Sequence, residues 1–232
     1  MKITNIVHTI SLASLLLIVI TCDNSPRIND DDNRILFSPD STYIYIGDKH
    51  FVADYEPLYP DGEINAVIEI PAGTSTKWEV DKSDGGMKLE FKEGEPKIIN
   101  YLGYPGNYGM IPGTLLSKLQ GGDGDPLDVI VLGPPVKRGD VVKCKLIGVL
   151  IMLDYDEHDD KLIAVLPNTA FYDVDDLDEL NEEFNGVLEI IQLWFANYKG
   201  QDIIEIKGFG DEIRARQILE SAIKTYKLFN NE

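Results

Sequence analysis

Hydrophobic periodicity changes once along this chain, and the position of that change limits the folds open to it. Up to residue 167 the apolar residues come in short runs divided by Gly, Pro, Asn and Asp. The runs are YIYI (43–46), NAVIEI (65–70), KWEV (77–80), MKLEF (87–91), LDVIVL (127–132), VVKCKLIGVLIML (141–153) and KLIAVLP (161–167). Each has the length and the bounding turn residues of a strand. Gly148, inside the longest run, predicts a bend or bulge rather than one flat strand. Helical spacing starts only later. From Leu177 the apolar positions recur as Leu180, Phe184, Leu188, Ile191 and Phe195, with Asp176 and Glu179 as an N-terminal cap, which predicts one long helix. From about Asp211, Ile218, Leu219, Ala222, Ile223 and Tyr226 share the face of a second. Strands first and helices late predict an α+β, mainly β domain: a small closed barrel with helices packed outside it.

Composition bounds the rest. A chain of 232 residues, 44% hydrophobic, suits one domain with a sizeable core. Its net charge of −19 argues against a sequence-independent grip on nucleic acid or anionic lipid. Phosphate would have to arrive with metal ions or meet a locally basic pocket. The N-terminus is a separate object. Lys2 is followed by an apolar stretch from Leu12 to Ile20 and then by VITC, ending at Cys22. The stretch is too short to span a membrane and reads as a secretory signal. The ending resembles a lipoprotein signal, with Cys22 the lipidated first mature residue, although Thr21 departs from the usual Gly, Ala or Ser. An ordinary cleaved signal and an uncleaved leader are the rivals. The expected organisation is a signal peptide over 1–21, a flexible acidic tether over 22–42, and one domain over 43–232. The protein is then exported, lipid-anchored or periplasmic, with a cytoplasmic location as the alternative. Cys144 alternates with Val142 and Leu146 and reads as a buried small apolar residue, leaving no thiol for a disulfide framework.

The chemistry gathers at strand ends. DGDPLD holds Asp123, Asp125 and Asp128 within six positions, stiffened by Pro126 and committed to a buried strand by Val129, Ile130 and Val131. Three carboxylates so close repel one another unless something positive sits among them. Oxygen-only donors at this spacing call for a hard divalent cation. One histidine in an acidic turn, His158, and no CxxC pair argue against zinc. An EF-hand loop fails on Leu127, which stands where an oxygen ligand belongs, and on the missing sixth-position glycine. Glu69 precedes Pro71 in a strand. Lys77 and Glu79 share one strand face while Trp78 and Val80 take the other. YPGNYG offers Tyr104 and Tyr108. DYDEHDDK joins two strands through Asp154, Asp159 and Lys161, and Tyr198 and Lys199 close the first helix. Taken singly, these are solvated turns, wet phenols and surface pairs. Together they form a site of mixed sign, suited to a metal-bound polyphosphate. With no P-loop and no Ser–His–acid or Cys–His set, the natural attacking group is a metal-activated water.

VIEIPAG, KWEVDK, YPGNYG, GDGDPLDVIVL, IGVLIMLD, DDKLIAV and YKG follow one another in an order that resembles the family I soluble inorganic pyrophosphatases over roughly residues 60–228. These are Mg²⁺-dependent enzymes that hydrolyse diphosphate to two phosphates. The resemblance implies a five-stranded OB-like barrel with peripheral helices, a homo-oligomer, and several Mg²⁺ ions per site, with Mn²⁺ as a substitute. It implies Asp123, Asp128 and Asp159 as ligands of the tighter ions, and Asp154 and Glu69 for those arriving with substrate. It implies Asp125 as the general base. Lys77, Tyr108, Lys161, Tyr198 and Lys199 would bind phosphate, and Glu79 and Tyr104 would line the site. One position departs from the family: MKLEFKEGEPKIINYLGYP lacks the arginine that the family places on phosphate, and Lys88 and Lys92 are the candidates to replace it. Two other readings use the same residues. One is a metal-dependent phosphohydrolase acting on nucleotides or longer polyphosphates; the other is a non-catalytic metal-binding envelope protein.

Overall fold

The computed structural model describes residues 35–37 and 41–230. The expected signal peptide, Cys22 and the first part of the tether lie outside the described residues. The far end of that tether is not irregular. Ile35–Phe37 forms a strand (β1) antiparallel to β2, Tyr43–Ile46. The register runs from Ile35 opposite Ile46 to Phe37 opposite Ile44.

Five strands close on themselves. β3 (Ile64–Ile70), β8 (Asn107–Met110), β9 (Asp128–Leu132), β12 (Lys161–Val165) and β10 (Val141–Asp154) pair in that order, and β10 returns to β3. All pairings are antiparallel except β9 with β12. The expected small barrel is therefore present. Closure depends on the long strand. The first part of β10 (141–144) pairs with β3, and the rest (149–154) uses the same edge to pair with β13, Ile204–Gly210. The register slips between Leu146 and Gly148, the bend expected at the glycine. A Cβ at Gly148 would lie 2.5 Å from Leu177 Cδ1 and 2.9 Å from the Gly210 carbonyl oxygen, so only glycine admits both neighbours.

The barrel strands are buried on both faces. In β9, Ile130 and Leu132 enter the cluster formed with α1 (Leu177–Glu183) and α2 (Val187–Asn197), while Val129 and Val131 enter the cluster formed with α3, Glu212–Asn230. Two-sided burial explains why the runs read as continuous aliphatics rather than as alternation. Cys144 is fully buried among Leu146 and Ile64, as expected. A smaller sheet, in the order β1, β2, β5 (Met87–Leu89) and β4 (Trp78–Val80), packs Trp78, Val80 and Met87 into a third cluster.

Two expectations change. The single helix from Leu177 is two, α1 and α2, because Gly186 sits at φ +92° and breaks the path at Phe184–Gly186. The helical spacing carries on across the break, since Phe184 still packs on the same cluster. Five further strands also went unforeseen. β8 and β13 contain glycine, β6 (Phe91–Lys92) and β7 (Glu95–Pro96) pair as a short hairpin of their own, and β11 (Glu157–His158) pairs with the end of β10.

Candidate active site

One cavity of about 1100 Å³ opens where barrel strands begin and end. Asp128 starts β9 and Lys161 starts β12, and the parallel register sets these two residues side by side. Lys161 is only 2% exposed, and its ammonium is ion-paired with both Asp128 and Asp159. Burial opposes its charge, but Asp128 and Asp159 outweigh that and hold it above the usual lysine range. From β8, the Tyr108 hydroxyl donates to Asp128 Oδ2 at 2.6 Å. Burial, then the Asp128 charge, pushes that phenol well up, so it stays a neutral donor.

Glu69 enters from a bulge in β3. Ile68 pairs with Gly109 and Ile70 with Tyr108, which leaves Glu69 as the extra residue. Its Oε1 accepts the Val80 N–H at 2.8 Å, and burial pushes the carboxyl up to about 8 against the pull of Lys77. Lys77 Nζ lies 2.9 Å from Glu79 Oε1. Trp78 and Val80 are buried on the opposite face, as the alternation predicted. Tyr198 stacks on Trp194, with ring centroids 4.6 Å apart, and Tyr104 packs tilted against the same indole at 4.4 Å. Burial pushes the Tyr104 hydroxyl up to about 12 and raises that of Tyr198 as well. Tyr198 comes from the C-terminal cap of α2, where sequence reading placed it.

The acidic turn is held by its own backbone. Gly124 takes φ +85°, its N–H donates to the Leu116 carbonyl at 2.8 Å, and Asp123 Oδ1 accepts the Asp125 N–H at 2.8 Å. Burial pushes the Asp123 carboxyl up to about 6. Asp154, at the end of β10, is ion-paired with Lys199, and its Oδ1 is buried without a hydrogen-bond partner. Burial also raises Asp159, against the opposing pull of Lys161.

The structure thus brings Glu69, Asp123, Asp125, Asp128, Asp154 and Asp159 to one cavity with Lys77, Lys161 and Lys199 and the three tyrosines. Only Cys22 stands apart, outside the described residues. Among the described residues, however, no three acidic side chains form a ready-made metal cage. Lys161 stands between Asp128 and Asp159, supplying the positive charge that such a gathering requires. An all-oxygen donor set, raised carboxyls and the unpartnered Asp154 Oδ1 fit hard divalent cations.

Two cations were missed. Lys82, at the end of KWEVDK, is ion-paired with Asp125 and donates to the Gly124 carbonyl at 2.7 Å. Lys97 borders the cavity beside Lys77, whose N–H donates to the Lys97 carbonyl at 2.9 Å. Its Nζ lies 2.5 Å from Glu90 Oε1. Lys88, the earlier candidate, is engaged by Asp81 at 2.7 Å and Asp84 at 2.8 Å. No local pattern points to Lys97, because a hairpin (β6, β7) carries it back to Lys77.

Residues 66–227 match the family model described as inorganic pyrophosphatase. The chain is similar to the inorganic pyrophosphatase of Campylobacter jejuni, 38% identical over 169 residues, covering 71% of this chain and 92% of that protein. Among solved structures it is similar to the Helicobacter pylori enzyme at 33% identity, with a TM-score of 0.64 over 75% of this chain and 98% of that one. It is also similar to a truncated vacuolar soluble pyrophosphatase of Trypanosoma cruzi in complex with PPi, at 25% identity, with a TM-score of 0.71 over 77% of this chain and 74% of that one.

Proposed function

This chain belongs to the inorganic pyrophosphatase family, and we propose from that membership that its cavity hydrolyses inorganic diphosphate to two orthophosphates. The observation that carries the reading is the convergence of Asp123, Asp125, Asp128, Asp159 and their acidic neighbours with Lys77 and Lys161 and the phenols of Tyr108 and Tyr198 on one cavity, in a fold shared with a protein solved with PPi.

Divalent ions bound among the carboxylates, Mg²⁺ with Mn²⁺ as the alternative, would neutralise diphosphate and acidify the attacking water. Asp123, Asp128 and Asp159 offer oxygens for the tighter ions, and Asp154 and Glu69 for those that come with substrate. Asp125 takes the proton of the attacking water, which requires its carboxylate to be freed from Lys82. Lys77, Lys161 and Lys199 bind phosphate oxygens as point charges, and Tyr108 and Tyr198 donate hydroxyl hydrogen bonds. Glu79 and Tyr104 shape the wall beside Lys77. Lys97, beside Lys77, stands in for the absent arginine on phosphate. A homo-oligomer and export to the cell envelope through Cys22 belong to the same reading, in which the enzyme consumes extracytoplasmic diphosphate.

The test is phosphate release from diphosphate by the purified protein in Mg²⁺, with ATP and tripolyphosphate alongside. Release from diphosphate that stops in excess EDTA and falls at least about 10²-fold in Asp125→Asn is expected. Turnover that persists in EDTA, or that favours ATP, would overturn it. Incorporation of labelled fatty acid that Cys22→Ser abolishes is expected of the anchor; equal labelling of both forms would refute it.

A further inference from the structure

The bulge that aims Glu69 into the cavity has a support lying outside the cavity. A bulge takes its extra residue out of the ladder, so the backbone groups of that residue need other partners. Glu69 is 5% exposed, so water is a poor source for them. The structure supplies a side chain instead: Arg138 Nε donates to the Glu69 carbonyl oxygen at 2.9 Å. Arg138 is itself held in place. Its guanidinium lies over the Trp78 ring, 4.5 Å from the centroid. Its own segment is tied to β3 directly after the arginine, with the Gly139 N–H donating to the Ile68 carbonyl at 2.8 Å and the Ile68 N–H to the Asp140 carbonyl at 2.9 Å.

One side chain therefore joins two elements that the site needs in fixed relation. Through the Glu69 carbonyl it holds the β3 bulge. Through Trp78 it holds the back of β4, whose front carries Glu79 next to Lys77, and whose Val80 N–H fixes Glu69 Oε1 at 2.8 Å. A lysine could supply one hydrogen bond but neither the planar stack nor the fixed direction of Nε–H. We propose that Arg138 is a positioning residue that clamps the β3 bulge to β4 and so holds the Glu69 carboxylate at the angle the reaction needs. This rests on the diphosphatase reading for its kinetic consequence, but not for its geometric one.

The test compares wild type, Arg138→Ala, Arg138→Lys and Asp176→Ala, the last a helix-cap change remote from the cavity that lowers stability alone. Two readouts are taken: diphosphate turnover against Mg²⁺ concentration, and hydrogen exchange of the Val80 amide. In Arg138→Ala, kcat should fall about 10-fold or more and the half-saturating Mg²⁺ should rise by a similar factor, as for loss of a group that orients a metal ligand. The Val80 amide should exchange faster while the rest of β4 is unchanged. Arg138→Lys should recover part of the loss, and Asp176→Ala should leave both readouts at wild-type values. An active wild type whose Arg138→Ala variant keeps kcat and Mg²⁺ dependence within about twofold, with Val80 protected, overturns the positioning role. An inactive wild type overturns the diphosphatase reading instead, and Val80 exchange alone then decides whether Arg138 is the clamp.

Discussion

At the scale of single residues the site is an exercise in holding like charges together. Asp128 and Asp159 are tolerable neighbours because the Lys161 ammonium lies between them. Removing that ammonium while keeping the chain length, as in Lys161→Met, leaves two carboxylates facing each other with little access to water. In the absence of metal, this variant should be less stable by about 3 kcal/mol, the usual cost of breaking a buried pair by losing one partner. Mg²⁺ should return more of the lost stability to the variant than it adds to wild type, while diphosphate turnover stays at least about 10²-fold down. Thermal melts with and without Mg²⁺ check the first point, and phosphate release the second. Most of these side chains were legible in the sequence, because DGDPLD and KWEVDK carry their chemistry within a few positions. Lys97 and Arg138 were not. Their roles come from a hairpin and a loop that meet Lys77 and Glu69 only in the folded chain.

At the scale of elements, placement is set by where strands can approach. Gly109 in β8 lies so close to β3 that a Cβ there would fall 1.8 Å from the Val67 carbonyl oxygen. Backbone cannot give way as a side chain can, and so Gly109→Ala should cost about 3 kcal/mol or more and move Tyr108 off Asp128. A lowered urea midpoint together with weakened diphosphate binding is the expected pair of results. By contrast, Asp176 caps α1 by accepting the Glu179 N–H at 2.8 Å, at the surface and far from the chemistry. Asp176→Ala should cost about 1 kcal/mol, a fall of roughly 2–4 °C in Tm, with turnover unchanged. The cap was readable from Asp176 and Glu179, but the break between α1 and α2 was not read. Periodicity continued through Phe184, and only the left-handed backbone at Gly186 ends the first helix. β8 was missed for a related reason. NYGM has neither alternation nor β-branched residues, and it is a strand because β3 and β9 flank it.

For the molecule as a whole, net charge of −19 and the raised carboxyls act in the same direction. Glu69 is pushed up to about 8 from 4.5, and Asp123 to about 6 from 3.8, each by burial. In the folded state both hold protons that the unfolded chain releases. Their contribution to stability is therefore complete below about pH 4 and is lost as pH rises through 6 and then 8. Metal-free protein should melt at a lower temperature at pH 8.5 than at pH 6. Divalent ions displace the same protons, so Mg²⁺ should raise Tm more at pH 8.5 than at pH 6. Melting curves at the two pH values, with EDTA or Mg²⁺, decide it; equal Mg²⁺ shifts would refute the link. Local residue pattern is enough to set the class of fold and the kind of chemistry. Strand-length apolar runs before residue 167 must be buried in a sheet, and clustered acids beside lysines and tyrosines need cations and suit phosphate. Long-range packing is what makes β10 bend to close the ring, sets Lys161 beside Asp128, and brings Arg138 to the Glu69 carbonyl. Each of these joins residues far apart in the chain, and local pattern carries information about a residue's own segment but none about which distant segment will lie against it.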